Sequence, residues 1–176
     1  MKALTKTTAL LIVSLFVTSS LFAQASANAN ATVTASLVKG LAISHSAGTI
    51  DFGEVILDGT GSTETITPDN GAVFEVIGHP NRNVTVTFST ASITNNAWAG
   101  PLSAPTGSMT FTPDVEETGT SSSYSGAGAV SSGSAYSAGN VAGSGYLYLW
   151  VGGNIVVGAS QAPGDYTGTF TMSVAY

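Results

Sequence analysis

The sequence predicts an all-β protein, and three observations carry that prediction. Apolar residues recur with period 2, turn-forming residues punctuate the runs, and the body shows no apolar residues at helical spacing among helix formers. The alternation is longest over residues 27–37. There Ala27, Ala29, Ala31, Val33, Ala35 and Leu37 alternate with Asn28, Asn30, Thr32, Thr34 and Ser36, the pattern of a strand with one buried face. It returns in Phe74-Glu75-Val76-Ile77, in Val84-Thr85-Val86-Thr87-Phe88-Ser89 and in Met109-Thr110-Phe111-Thr112. Tyr146–Val151 and Ile155–Val157 are more continuously apolar, which fits a central strand or a hairpin across Gly152-Gly153-Asn154. In the closing run from Tyr166, the residues Phe170, Met172, Val174 and Tyr176 share one face.

Turn signals separate these runs: Asp58-Gly59-Thr60-Gly61, Pro68-Asp69-Asn70-Gly71, His79-Pro80-Asn81-Arg82-Asn83 and Ala162-Pro163-Gly164-Asp165. About seven to nine short strands at this spacing imply a two-sheet antiparallel sandwich, immunoglobulin-like in build, with a closed barrel as the alternative. One stretch departs from the pattern. Residues 118–145 are nearly all Gly, Ser, Ala and Thr, with Tyr124, Val130, Tyr136 and Val141 as the larger side chains. So little apolar surface cannot offset the entropy of ordering, so the segment reads as a long mobile loop. A sharper reading makes Tyr124 and Tyr136 contact residues on a flexible arm.

The first 25 residues read as an address. Lys2 and Lys6 precede an apolar stretch from Ala9 to Val17, and Ala23-Gln24-Ala25 supplies a small-x-small cleavage site, the build of a secretory signal peptide. The stretch is shorter than the roughly 20 residues needed to cross a bilayer. Cleavage leaves residues 26–176 as one domain, with no integral membrane span and a destination outside the cytoplasm: secreted or on the cell surface through the general secretory route. The chain contains no Cys. The domain must therefore hold together without the disulfides on which many small exported domains rely.

Charge excludes whole classes of function. Charged residues make up 8% of the chain, against a usual share of about 25%. After cleavage Lys39 and Arg82 are the only basic side chains; set against ten acidic ones they leave a formal charge of −8. Displacing counterions from phosphates takes clustered Lys and Arg, so no nucleic-acid partner is expected.

Strings that imitate catalytic motifs fail on context. Asp51-Phe52-Gly53 copies the kinase metal-binding triplet without a strand lysine, catalytic loop or glycine-rich loop. Ser36-Leu37-Val38-Lys39 has the spacing of a serine–lysine acylation motif, which needs a helix, yet lies in an alternating stretch. His45 and His79 lack a nearby His or Cys, so neither a zinc site nor a triad is expected. Asp114, Glu116 and Glu117 cluster in sequence but lack the ordered Asp/Asn-Gly loop of a calcium motif. The expectation is a protein without cofactor that is not an enzyme.

Leu41-Ala42-Ile43 followed by Ile50-Asp51-Phe52-Gly53-Glu54-Val55, then Phe74-Glu75-Val76-Ile77-Gly78-His79-Pro80-Asn81, and finally Ala162–Phe170 through Tyr176, resemble an uncharacterised family of bacterial secreted domains, a domain of unknown function. The ending is also distantly similar to spore-coat-U-like and archaic chaperone–usher pilins. That second resemblance implies an incomplete immunoglobulin-like fold completed by strand exchange between subunits, each lending an N-terminal strand to a neighbour's open groove. The chain departs from it in lacking the cysteine pair common in such pilins.

The leading expectation is thus a structural subunit of a cell-surface filament, pilus or fimbrium, self-associating or joining other surface proteins. Its assembly surface would comprise Ala27, Ala29, Ala31, Val33, Ala35 and Leu37 as donor, with Phe170, Met172, Val174 and Tyr176 on the last strand. Against it stands a monomer whose first strand pairs within its own sheet. A different class is a secreted glycan- or protein-binding module using Trp98, in an apparent loop, with Tyr124 and Tyr136 as stacking surfaces. Trp150, in a strand run, is expected in the core.

Overall fold

A computed structural model describes residues 30–176. The proposed signal peptide, with Ala27 and Ala29, lies outside the described residues. Ten strands follow in chain order: β1 (Ala42–Ala47), β2 (Ser62–Ile66), β3 (Ala72–Gly78), β4 (Arg82–Phe88), β5 (Ala91–Thr94), β6 (Ser108–Glu117), β7 (Gly128–Ala129), β8 (Ser134–Val141), β9 (Ser144–Val157) and β10 (Met172–Ala175). One short helix, α1 (Asn96–Leu102), precedes β6, and Pro68–Asn70 form a 3-10 turn. The fold is all-β, and every strand pairing is antiparallel.

The spine is β9. Its odd residues Leu147, Leu149, Val151, Ile155 and Val157 are buried on one face, as the pleat dictates. On one side it pairs first with β3 (Val76↔Leu147) and then with β2 (Thr65↔Asn154). On the other it pairs with β6 (Phe111↔Ile155, Val115↔Val151). β1 extends the layer beyond β3, and β5 extends it beyond β6. The second layer is smaller: β4 lies between β8 and β10, and β8 turns back onto the start of β9. Val84, Val86, Ala138 and Met172 of the small layer join Val76, Leu147, Leu149 and Val151 of the large one in a single core.

Three sequence expectations are corrected here, and one pair of alternatives is decided in favour of the central strand. The strand over residues 27–37 does not form in its described part: residues 30–40 are irregular and exposed. Alternation marks a chain that fits a pleated surface, but a strand exists only where a neighbouring main chain receives its hydrogen bonds, and this segment has no strand partner among the described residues. The expected mobile loop 118–145 is instead built into the sheet. It contains β7 and β8, Ala138 is fully buried, and a side chain at Gly145 would come within 2.5 Å of the His79 carbonyl. Small residues order this stretch by permitting close backbone approach, and Val130 and Tyr136 add their side chains to the core. Gly152-Gly153 is no hairpin. β9 runs straight through, and a Cβ at Gly152 would lie 2.2 Å from the Ile66 carbonyl, where β2 and the following turn press against it. Finally, Trp98 lies in α1, not in a loop.

Candidate functional site

The small layer covers only part of the large layer's apolar face. Beyond it, Phe74, Ile93, Met109, Phe111, Ile155 and Val157 line a cleft of about 1050 Å³. Its walls are two extended segments that belong to no strand, Thr49–Leu57 and Gln161–Phe170.

The first wall is a strap. The chain leaves β1 through Gly48, whose φ is +73° and whose Cβ, if present, would lie 2.1 Å from the Gly71 carbonyl oxygen, so only glycine fits there. Ile50, Phe52 and Val55 then turn toward the core and are half-buried, with the Phe52 ring edge-on to Phe111 at 6.2 Å. Ile56 and Leu57 remain in solvent, 83% and 43% exposed. The Asp51 carboxylate accepts from Gly53 N–H at 2.9 Å. Asp58 accepts from the Thr60 hydroxyl and amide, which together hold its carboxyl below the usual value. From residue 49 to residue 60 no main-chain group has a main-chain partner among the described residues.

The second wall is tied down by Asn95, a polar residue with no exposed surface. Its Nδ2 donates to the carbonyls of Pro105 (3.1 Å) and Pro163 (2.8 Å), while its Oδ1 accepts from Gly107 N–H (2.7 Å). Burying an amide is tolerable because these bonds replace its water. The Tyr166 hydroxyl donates to Ala162 O and accepts from Gln161 Nε2, each at 2.6 Å. Thr167 exchanges a pair of main-chain bonds with Thr94. Phe170 closes the end of the cleft, 5.8 Å from the Phe111 ring and 6.3 Å from that of Phe74.

The expected assembly residues fall into two groups. Ala31, Val33, Ala35 and Leu37 are all exposed, with Val33 at 92% and Leu37 at 84%. Met172 belongs to the domain's own core, and Val174 packs against it opposite Val86. The Tyr176 hydroxyl accepts from His79 N–H at 2.6 Å and donates to Lys39 O at 2.9 Å, and Arg82 sits over its ring. Of that face only Phe170 borders the cleft. The cleft residues Phe52, Phe111 and Ile155 and the anchor Asn95 were not singled out from sequence as site residues. The one signal was the Ile50–Val55 string itself.

The aromatic residues proposed as ligand contacts are engaged within the domain. Trp98 lies against Gly164, where any side chain would strike its ring. Tyr124 packs edge-on to Trp150 at 5.3 Å and donates to Glu116, a bond that pushes its phenol up to about 12. The Tyr136 hydroxyl accepts from Ser131 N–H at 2.7 Å. Trp150 is buried as expected, on the outer face of β9, with its Nε1 donating to the Thr118 hydroxyl. His45 contacts the Gly48 carbonyl, and His79 Nδ1 accepts from Lys39 N–H. Glu117 accepts from Gly119 N–H. Among the described residues there is no group of three His, Cys, Asp or Glu placed to hold a metal ion, and no helix is long and apolar enough to cross a membrane.

One family model matches the chain, over residues 23–176; its description is "Domain of unknown function (DUF4402)". No curated protein and no solved structure matches.

Proposed function

We propose that this chain, which belongs to the DUF4402 family, is an exported structural subunit of a cell-surface or pilus-like filament assembled by β-strand addition. One observation carries the reading. The most regular strand pattern in the sequence, residues 27–37, has its described part fully in solvent with no strand partner, while an apolar cleft beside unpaired main chain lies open in the folded unit. A side chain such as Val33 loses about 1.5–3 kcal/mol by staying in water. Strand addition recovers that energy and satisfies two sets of main-chain groups at once. The role needs no cofactor and no catalytic group. The signal-peptide pattern supports export to the cell surface.

The test is Val33→Asp. Filaments seen by electron microscopy of the parent chain should vanish, because a charge buried unpaired in an apolar groove costs several kcal/mol. The melting temperature should not change, since Val33 contributes nothing to the folded unit. A variant with a lower melting temperature and unchanged behaviour on size-exclusion chromatography would refute the reading.

A further inference from the structure

We infer that the seat of the incoming strand is the cleft between the strap and the Gln161–Phe170 wall. Its occupant is residues 27–38 of a second copy, and the strap itself becomes a strand when that segment arrives. This rests on the strand-addition reading and names its acceptor.

Three features select the occupant. The first is main-chain chemistry. Residues 49–60 on one wall and 168–170 on the other lack main-chain partners among the described residues. An apolar small molecule would satisfy the floor of Phe111, Ile155 and Val157 but not these edges; a peptide in extended form satisfies both. The second is charge. Asp51, Glu54 and Asp165 stand on the walls, so a fatty-acid carboxylate or an acidic peptide meets like charge, whereas residues 27–38 carry none. The third is periodicity and length. From Ala31 to Leu37 the apolar positions repeat every second residue, spanning about 20 Å at roughly 3.3 Å per residue, and the strap offers a stretch of comparable length.

The strap suits a change of state. It leaves β1 at Gly48 and reaches β2 through Gly59 and Gly61, all at positive φ. Its half-buried side chains Ile50, Phe52 and Val55 hold it over the cleft without main-chain bonds. Ile56 and Leu57 stay in water. A partner that pairs with the strap therefore breaks no main-chain pair within the described residues, and displaces at most the bonds that the Gly53 and Thr60 amides give to the Asp51 and Asp58 carboxylates.

The experiment uses the full chain carrying Val33→Asp, so that its own arm is disabled, mixed with a synthetic peptide of residues 27–38. Hydrogen exchange should slow by about tenfold or more at amides of 50–57 and 168–170. A scrambled peptide and laurate should leave both segments unchanged. Successive amides of an extended chain point to opposite edges. Of Glu54→Pro and Val55→Pro, one should therefore abolish the peptide's protection and the other spare it. Glu54→Pro should melt like its parent, because its side chain is exposed and its amide has no main-chain partner among the described residues, whereas Val55→Pro also loses half-buried packing and should melt somewhat lower while staying folded. Protection at another edge, equal protection by laurate or the scrambled peptide, or undiminished protection in both proline variants overturns the seat. Filaments of the parent chain together with protection elsewhere overturn this seat alone. Protection at the strap without parent filaments upholds the seat and ends the filament reading.

Discussion

The apolar face of the large sheet is closed in two different ways. Over Leu147 and Leu149 it meets Val84, Val86 and Ala138, carried on strands whose main chains are themselves paired. Over Phe111, Ile155 and Val157 it meets Ile50, Phe52 and Phe170, carried on extended segments that belong to no strand. The first half has burial and main-chain pairing together; the second has partial burial without pairing. The difference teaches that side-chain packing alone can hold a segment in place while leaving its backbone available to another chain.

Core truncations would break or sharpen that contrast. Leu149→Ala, at a position with no exposed surface, should cost about 2–5 kcal/mol in chemical denaturation, because the closed half cannot collapse around the void. Phe52→Ala removes a larger side chain yet should cost only about 1 kcal/mol. It is half-buried beside open space, and its main specific contact is one aromatic pair, worth roughly 0.5–1.5 kcal/mol. Equal costs at the two positions would mean that the cleft is as tightly closed as the rest of the core.

The smallest effect lies on the outer face of the large sheet. Tyr124 bonds to Glu116, which pushes its phenol up to about 12 from the ordinary value of 10.0. The folded state thus favours the neutral phenol. Its stabilising contribution is complete below pH 10 and disappears as pH rises through about 12. Ultraviolet titration of the folded chain should show a tyrosine ionising near the top of that window and absent from Tyr124→Phe. A normal titration at that residue would show that the segment carrying Tyr124 is not held against the sheet.

Much of the fold was legible. The runs at 74–77, 109–112 and 146–151 lie within strands, as does that at 84–89 up to Phe88, because each carries β-branched or aromatic residues in alternation, and its main chain finds partners within the same unit. Residues 118–145 were illegible because composition measures how much apolar surface a segment can bury. Ala138 and Gly145 contribute instead by being small enough to let two backbones approach. The helix at Asn96–Leu102 was missed for a related reason. It contains Gly100 and Pro101 and buries only Ala99, so it has no apolar stripe to read. The cleft was the least legible feature. Its floor comes from β3, β5, β6 and β9 and its walls from segments more than a hundred residues apart, which no local window brings together.

By itself the sequence determined the periodicity, and with it an all-β antiparallel fold that must stand without disulfides and with few charges. Period-2 alternation is a local steric fact, written wherever side chains must point to opposite faces. Which alternating segments become strands was decided only by the tertiary structure. Hydrogen-bond pairing is a property of two segments, and a segment cannot encode its partner's position. Residues 82–88 found neighbours on both sides and became β4. Residues 30–37 carry the more regular pattern, found none among the described residues, and remain in water with Val33 and Leu37 exposed.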